Sequence, residues 1–181
     1  MKLSTLPRRF FRPAPFCLAL FCLLLPLLAA LLPALALAQQ SQAPSGLPIP
    51  RFVSLRSGEV NIRTGPGVRY PIDWVFLRKD MPVEIVAEFD TWRRIRDLEG
   101  TEGWVHQSLL SGKRTIVFTA PLASLRREPR ESAPLVARVE PGVIGELQEC
   151  RPAWCRAKAA GLTGWVQPIE VWGVYPDEWM R

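Results

Sequence analysis

Two groups of residues in this chain have the types and spacing to do chemistry. The first is aromatic and basic: Tyr70, Trp74, Trp92, Arg94 and Trp104. Large rings beside a guanidinium give contact area at little entropic cost, which is binding chemistry. The second is a thiol pair, Cys150 and Cys155, with four residues between them. Such a pair could be a disulfide, a redox dithiol or half of a metal site.

Catalytic chemistry finds few residues. The chain has one histidine, His106. A Cys/His hydrolase needs a free thiolate beside an imidazole, and a zinc amidase needs several His and acidic ligands. A paired-carboxylate glycosidase needs a cleft that small barrels lack. The expectation is a protein that is not an enzyme and has no catalytic residue, metal or cofactor.

Redox dithiols of the thioredoxin type use two spacer residues in a strand–helix context. Structural zinc needs four ligands, and His106 is the only other soft candidate. If Glu149 and Arg156 lie on antiparallel strands, residues 151–154 form a hairpin loop and the thiols face each other. The expectation is a structural disulfide, Cys150–Cys155, worth about 2 kcal/mol for so small a ring.

The elements that must position these residues come as a repeat. One strand-rich block runs over 53–110 and returns over 117–171. Each begins at a Leu/Ile-Arg strand, Ile62-Arg63 or Leu125-Arg126, followed by a Pro-containing loop. A lone Trp follows, Trp92 or Trp154, then Gly103-Trp104-Val105 or Gly164-Trp165-Val166. Short runs of Val, Ile, Phe and Trp bounded by Gly, Pro and Asp predict strands. Val83, Ile85 and Ala87 share one face at period two, and Val83 and Ile85 with Ile95 and Val105 supply an inward layer. Alternation then sends Trp92, Arg94 and Trp104 outward. In the Thr64-Gly65-Pro66-Gly67 loop the glycines permit positive φ. In the first block, Glu88 and Arg93 occupy the positions of the two cysteines, where an exposed ion pair would add under about 1 kcal/mol.

The N-terminus reads as an export signal. Lys2, Arg8, Arg9 and Arg12 precede an apolar run that ends in Ala36-Leu37-Ala38, with cleavage expected after Ala38; the alternative is an uncleaved membrane anchor, since the run is long enough to span a bilayer. Arg8-Arg9-Phe10-Phe11 also resembles a twin-arginine signal, although Pro7 and the very apolar core do not suit that route. Removing these four bases from 23 leaves 19 against 17 acids, too little cationic excess for a nucleic-acid footprint. Cys17 and Cys22 leave with the signal. The domain reading is 1–38 signal peptide, 39–50 flexible linker, 51–112 first domain, 113–175 second domain and 176–181 a mobile tail.

Gly58-Glu59-Val60-Asn61-Ile62-Arg63-Thr64-Gly65-Pro66-Gly67, Trp92 and Glu102-Gly103-Trp104-Val105-His106 resemble the bacterial SH3-like (SH3b) domain. The second block, with Cys150, Trp154-Cys155-Arg156 and Gly164-Trp165-Val166, is similar to its paired form in exported Gram-negative proteins. In that block Arg127-Glu128-Pro129-Arg130 replaces the Gly-Pro-Gly loop. The resemblance implies an all-β chain with two tandem SH3-like β-barrels of about five strands each. It also implies a periplasmic or secreted binding module. The expected partner is cell-wall peptidoglycan, peptide or glycan, through Tyr70, Trp74, Trp92, Arg94 and Trp104. The alternative is an envelope protein, with the chain acting as an adaptor. No nucleic acid is expected, and membrane contact only through the signal segment before cleavage.

Overall fold

The computed structural model of this chain describes residues 44–180. The export signal with its Ala38 junction, residues 39–43 of the linker, Cys17, Cys22 and Arg181 lie outside the described residues.

The first unit contains β1 (Arg51–Leu55), β2 (Val60–Arg63), β3 (Ile72–Phe76), β4 (Pro82–Phe89), β5 (Trp92–Arg96), β6 (Glu102–His106) and β7 (Leu110–Ser111). The second contains β8 (Thr115–Phe118), β9 (Ala123–Arg126), β10 (Leu135–Val139), β11 (Ile144–Arg151), β12 (Trp154–Ala159), β13 (Leu162–Val166) and β14 (Val171–Trp172). Strand orders are β3-β2-β6-β5-β4-β1-β7 and β10-β9-β13-β12-β11-β8-β14, one pattern written twice. The architecture is all-β and tandem, with seven segments per unit where about five were expected. The added ones are the entry strand and a two-residue strand after a 3-10 turn, Gln107–Leu109 or Pro168–Glu170.

Each sheet curls around its own core. Leu55, Val60, Ile62, Val83, Ile85, Ile95, Val105 and Leu110 form the first, so residues from β1, β2, β4, β5, β6 and β7 share one interior. Val83, Ile85, Ile95 and Val105 are the expected inward layer. Ala87 departs from it. A bulge between Ile85 and Ala87 breaks the alternation, and Ala87 pairs with the outward Arg94. A bulge at the equivalent place, between Leu147 and Glu149, bends β11. Such an extra residue kinks its strand, which helps a short sheet to close.

In each unit the strand carrying the Gly-Trp-Val triplet, β6 or β13, crosses tightly over the strand β2 or β9. A Cβ on Gly103 would lie 2.3 Å from Ile62 Cγ2, and one on Gly164 would lie 2.7 Å from Leu125 Cγ. The Gly in each Gly-Trp-Val triplet is therefore there for space.

The hairpin tips differ in chemistry. Cys150 and Cys155 are bonded, directly opposed in the ladder with Cα atoms 4.1 Å apart, and buried within the second core. The ladder runs past them to Arg151↔Trp154, so the loop is the two-residue turn Pro152-Ala153, not four residues. Ala153 takes φ 65°, a left-handed conformation that side chains tolerate poorly. In the first unit Glu88 pairs with Arg93 at the same register. This ion pair, at 3.2 Å, is not exposed as expected: the side chains are 0% and 6% accessible. The bulge turns Glu88 inward, and residues before the sheet cover it. The Ser45 amide and hydroxyl donate to its carboxylate at 2.9 and 2.8 Å, and Arg51 Nη2 donates at 2.5 Å. Residue 45 of the linker is thus tied to the fold. So is the C-terminal tail: Cys150 and Met180 exchange backbone hydrogen bonds, and the Glu178 carboxylate pairs with Arg114.

The two units touch through β1 and β4 of the first and β8, β14 and the segment after it in the second. Phe52 pairs with Glu84 in the first sheet, and Thr115 pairs with Glu146 at the same register in the second. The Phe52 ring meets Trp172 edge-on at 5.0 Å and Tyr175 at 4.8 Å. Thr115 Oγ1 donates to Asp80 O, and Arg78 donates to Gly142 O. All four residues of β8 are buried, because Ile116 and Phe118 face their own core while Thr115 and Val117 face the first unit. Glu84, also buried, accepts from Arg96 Nη2 at 2.5 Å and from the Tyr175 hydroxyl at 2.8 Å. Burial, then the Glu84 carboxylate, pushes the Tyr175 phenol well above its ordinary value.

Burial alone would raise the Glu88 pKa. The Ser45 amide, the Arg51 side chain and the Ser45 hydroxyl outweigh it and hold the group below its ordinary 4.5. A depressed folded pKa gives stability that is complete above the unfolded value and lost as pH falls through the folded one. Glu88→Gln is therefore expected to lower stability at pH 7 by roughly 1–3 kcal/mol. The deficit should shrink as pH falls below about 4.5, read from urea midpoints at pH 7 and pH 3. Cys150→Ser with Cys155→Ser should cost at least about 2 kcal/mol by the same measurement.

Candidate functional site

The outward face of the first sheet is assembled by ladder register. Phe89, Trp92 and His106 form one row, since Trp92 pairs with Phe89 on β4 and His106 on β6. The next row is Ala87, Arg94, Trp104, Arg63 and Ile72. Side chains directly opposite each other in an antiparallel ladder project from the same face. Trp92, Arg94 and Trp104 therefore share a surface, as alternation predicts, with the two indoles diagonal and not paired. The Trp92 and His106 rings meet edge-on at 5.5 Å. His106 Nδ1 lies 2.7 Å from Ser108 Oγ and accepts from the Ser108 amide, capping the 3-10 turn. Arg94 is bridged to Glu102 at 2.8 Å, with both side chains partly in solvent.

Tyr70 and Trp74 lie elsewhere. The Tyr70 ring packs on its own loop, where a Cβ on Gly65 would fall 2.5 Å from Tyr70 Cδ1. Neither Gly65 nor Gly67 has positive φ, so the glycines make room for a ring and do not supply an unusual backbone. Trp74 pairs with Ile62, a core residue, because a bulge between Ile62 and Arg63 shifts the register. The exposed Trp74 thus sits at the sheet edge on the opposite face from Trp92 and Trp104. It stands near an apolar recess of about 280 Å³, lined by Val75, Phe76, Leu77, Met81 and Leu98 among others.

Sequence reasoning missed Phe89, Arg63 and Ile72 on the aromatic face and gave His106 no place there. The signal was available for Phe89: Asp90-Thr91 is a two-residue turn, which forces Phe89 opposite Trp92.

Arg63 holds the neighbouring loop. Its Nη1 donates to Tyr70 O at 2.7 Å and to Val68 O at 3.2 Å. Arg126 Nη1 donates to Ala133 O at 2.8 Å, the equivalent carbonyl. Three backbone bonds recur as well. Thr64→Pro71, Gly67→Gly65 and Tyr70→Gly67 in the first unit correspond to Arg127→Pro134, Arg130→Glu128 and Ala133→Arg130 in the second. The second loop thus keeps the first loop's path without its glycines, because Ala133 stands where Tyr70 would demand space. Trp165, equivalent to Trp104, is buried beneath Arg151, whose guanidinium lies 5.1 Å over its ring. Of the second-block aromatics on this face, Trp154 is the more accessible. Among the described residues no three His, Cys, Asp or Glu side chains converge as a metal site.

These features define a tandem SH3-like β protein with an aromatic, cationic outer face. The chain belongs to the bacterial SH3 domain family, whose model matches residues 56–112 and again 119–173. Over 123 residues it is 24% identical to the Bacillus subtilis (strain 168) protein named "Putative N-acetylmuramoyl-L-alanine amidase YrvJ". That match covers 62% of this chain and 24% of the relative, so this chain spans about a quarter of the relative's length. Among solved structures it aligns with NlpC2 of Trichomonas vaginalis at 13% identity and TM-score 0.32, over 67% of this chain and 47% of the other. It also aligns with NlpC1 of the same organism at 14% identity and TM-score 0.30, over 75% and 50%.

Gly65→Ala is expected to expel the Tyr70 ring and raise its exposure, seen as a faster, larger Tyr70 response to a phenol-directed reagent. Ala133 leaves the second loop free of that constraint, so Arg130→Ala should leave fold stability within about 0.5 kcal/mol.

Proposed function

We propose that this protein is a non-catalytic recognition module of the bacterial cell envelope, exported and binding peptidoglycan through the outward face of its first unit. The observation that carries this reading is the register that sets Phe89, Trp92 and His106 in one row and Arg94, Trp104 and Arg63 in the next. Rings give stacking area for sugar or peptide faces, and guanidinium groups meet the carboxylates of cell-wall peptides. Family membership and the amidase relative support a cell-wall context outside the cytoplasm. The shallow face offers positioning groups but no nucleophile–base pair, which suits binding more than turnover.

A second reading has its own observation. Trp74, Val75 and Leu77 are exposed beside the 280 Å³ apolar recess at the free edge of β3. An apolar sheet edge suits a protein partner better than a polar wall polymer. On this reading the chain is an envelope adaptor.

The full chain recovered from an exporting host should sediment with purified sacculi. Trp92→Ala with Trp104→Ala should reduce retention at least tenfold while keeping a cooperative melt, and the exposed Arg94→Glu should reduce it several-fold. Full retention by the folded double variant removes the first-unit face from the reading. Loss of retention on Trp74→Ser alone transfers the site to the β3 edge.

A further inference from the structure

The second unit has a cavity where the first has its Trp92–His106 corner. Its volume is about 260 Å³, and Ser124, Arg126, Glu131, Trp154, Gln167 and Glu170 line it. By register these residues are equivalent to Asn61, Arg63, Val68, Trp92, His106 and Leu109. The tryptophan wall and the arginine are retained. The three positions that are apolar or imidazole in the first unit, Val68, His106 and Leu109, are replaced by Glu131, Gln167 and Glu170.

Two of the polar groups, Arg126 and Glu170, are held from behind, so their orientation precedes any ligand. Arg126 is fixed by its bond to Ala133 O at 2.8 Å. The Glu170 carboxylate accepts from the Ser124 amide at 3.0 Å and lies across the start of the 3-10 turn from the Gln167 amide at 3.4 Å. Gln167 Nε2 reaches Glu131 Oε1 at 3.4 Å, a long contact. Each carboxylate retains acceptor capacity, and Arg126 uses only part of its five-donor fork.

We infer that this cavity is a second binding site, which takes the zwitterionic end of a free amino acid, where ammonium and carboxylate share one carbon. Its ammonium would lie at Glu131 and Glu170, its carboxylate at Arg126 and its carbon chain against Trp154. The chemistry matches group by group. Carboxylates accept from an ammonium, a guanidinium meets a carboxylate with directed hydrogen bonds, and an indole face attracts both alkyl chain and cation. The hollow is small, about 260 Å³, which suits a single polar end group. Two units of one fold would thus read two different features. This site does not rest on the first-unit face, and its test is separate from sacculus retention.

The test is NMR titration of the isotope-labelled full chain, recovered from an exporting host, with free lysine. The comparison probes are Nα-acetyl-lysine amide, which keeps the side-chain ammonium but lacks the zwitterion, and N-acetylglucosamine. Free lysine should shift the Trp154 indole N–H and the Gln167 side-chain amide saturably. Nα-acetyl-lysine amide should bind at least tenfold more weakly. Glu131→Gln, at an exposed loop position, should weaken free lysine at least fivefold, while Trp92→Ala should leave it within twofold. Equal binding of the blocked probe, saturation by N-acetylglucosamine but not lysine, or no saturable shift at Trp154 would each overturn the inference.

Discussion

A sheet of this length can enclose very little. The buried first core is Leu55, Val60, Ile62, Val83, Ile85, Ile95, Val105 and Leu110, with Phe76 and Met81 packed half-buried against it. A domain near 60 residues buries only about 60% of its unfolded surface, so closure must come from contacts beyond that core. The bulges at Val86 and Gln148 bend the long strands, and the glycines of the Gly-Trp-Val triplets admit the crossing strand. Each hairpin tip is then pinned, by a sulfur bridge in one unit and a buried ion pair in the other. The two solutions differ in what they demand. The disulfide is self-sufficient and apolar, whereas Glu88 with Arg93 requires Ser45 and Arg51 to complete the carboxylate's hydrogen bonds. A buried charge left half-satisfied destabilises more than no charge at all, so the segment before the first sheet becomes part of that sheet.

Pairing the units answers the same shortage. Phe52 belongs to neither core, yet it is buried because Trp172 and Tyr175 arrive from the second unit. The first unit presents β1 and β4, and the second presents β8, β14 and the segment that follows it. The contact is not uniformly apolar. Glu84 sits between Arg96 of its own sheet and the Tyr175 hydroxyl of the other. Because that carboxylate is satisfied only when both arms are present, the polar contact specifies how the units meet, while Phe52 supplies the buried area.

The repeat, the strands and the inward layer were legible because period-two alternation and turn residues are local signals. Cys150 facing Cys155 was legible for the same reason: four spacers in a hairpin leave little choice. Two failures trace to bulges in the first unit. One extra residue after Ile85 sends Ala87 outward and Glu88 inward, and one at Asp73 sends Trp74 to the face opposite Trp92. A bulge has no composition of its own, so alternation counted across it inverts. Gly65 was misread for another reason. Sequence shows that a glycine is needed but not whether torsion or space requires it, and here the answer is the Tyr70 ring. Ser45 and Met180 looked like parts of mobile ends because their anchors, Glu88 and Cys150, are far away in sequence.

The conserved loop path explains how the two outer faces could diverge. Arg63 and Arg126 hold their loops by carbonyl oxygens, and the recurring loop bonds are backbone to backbone. Side chains on the loop therefore carry little of its geometry. Val68 can become Glu131, and a Gly-Pro-Gly tip can become Glu-Pro-Arg, with no change in the frame behind them. The same holds at the 3-10 turn, where Leu109 packs on the first core and Glu170 instead bonds the Ser124 amide. Stability is set by the crossing glycines, the buried tip pins and the contact between units, none of which uses the outward side chains of this corner. Chemistry at the corner is thereby released to vary, and one fold presents an aromatic, cationic face in one copy and a carboxylate-lined cavity in the other.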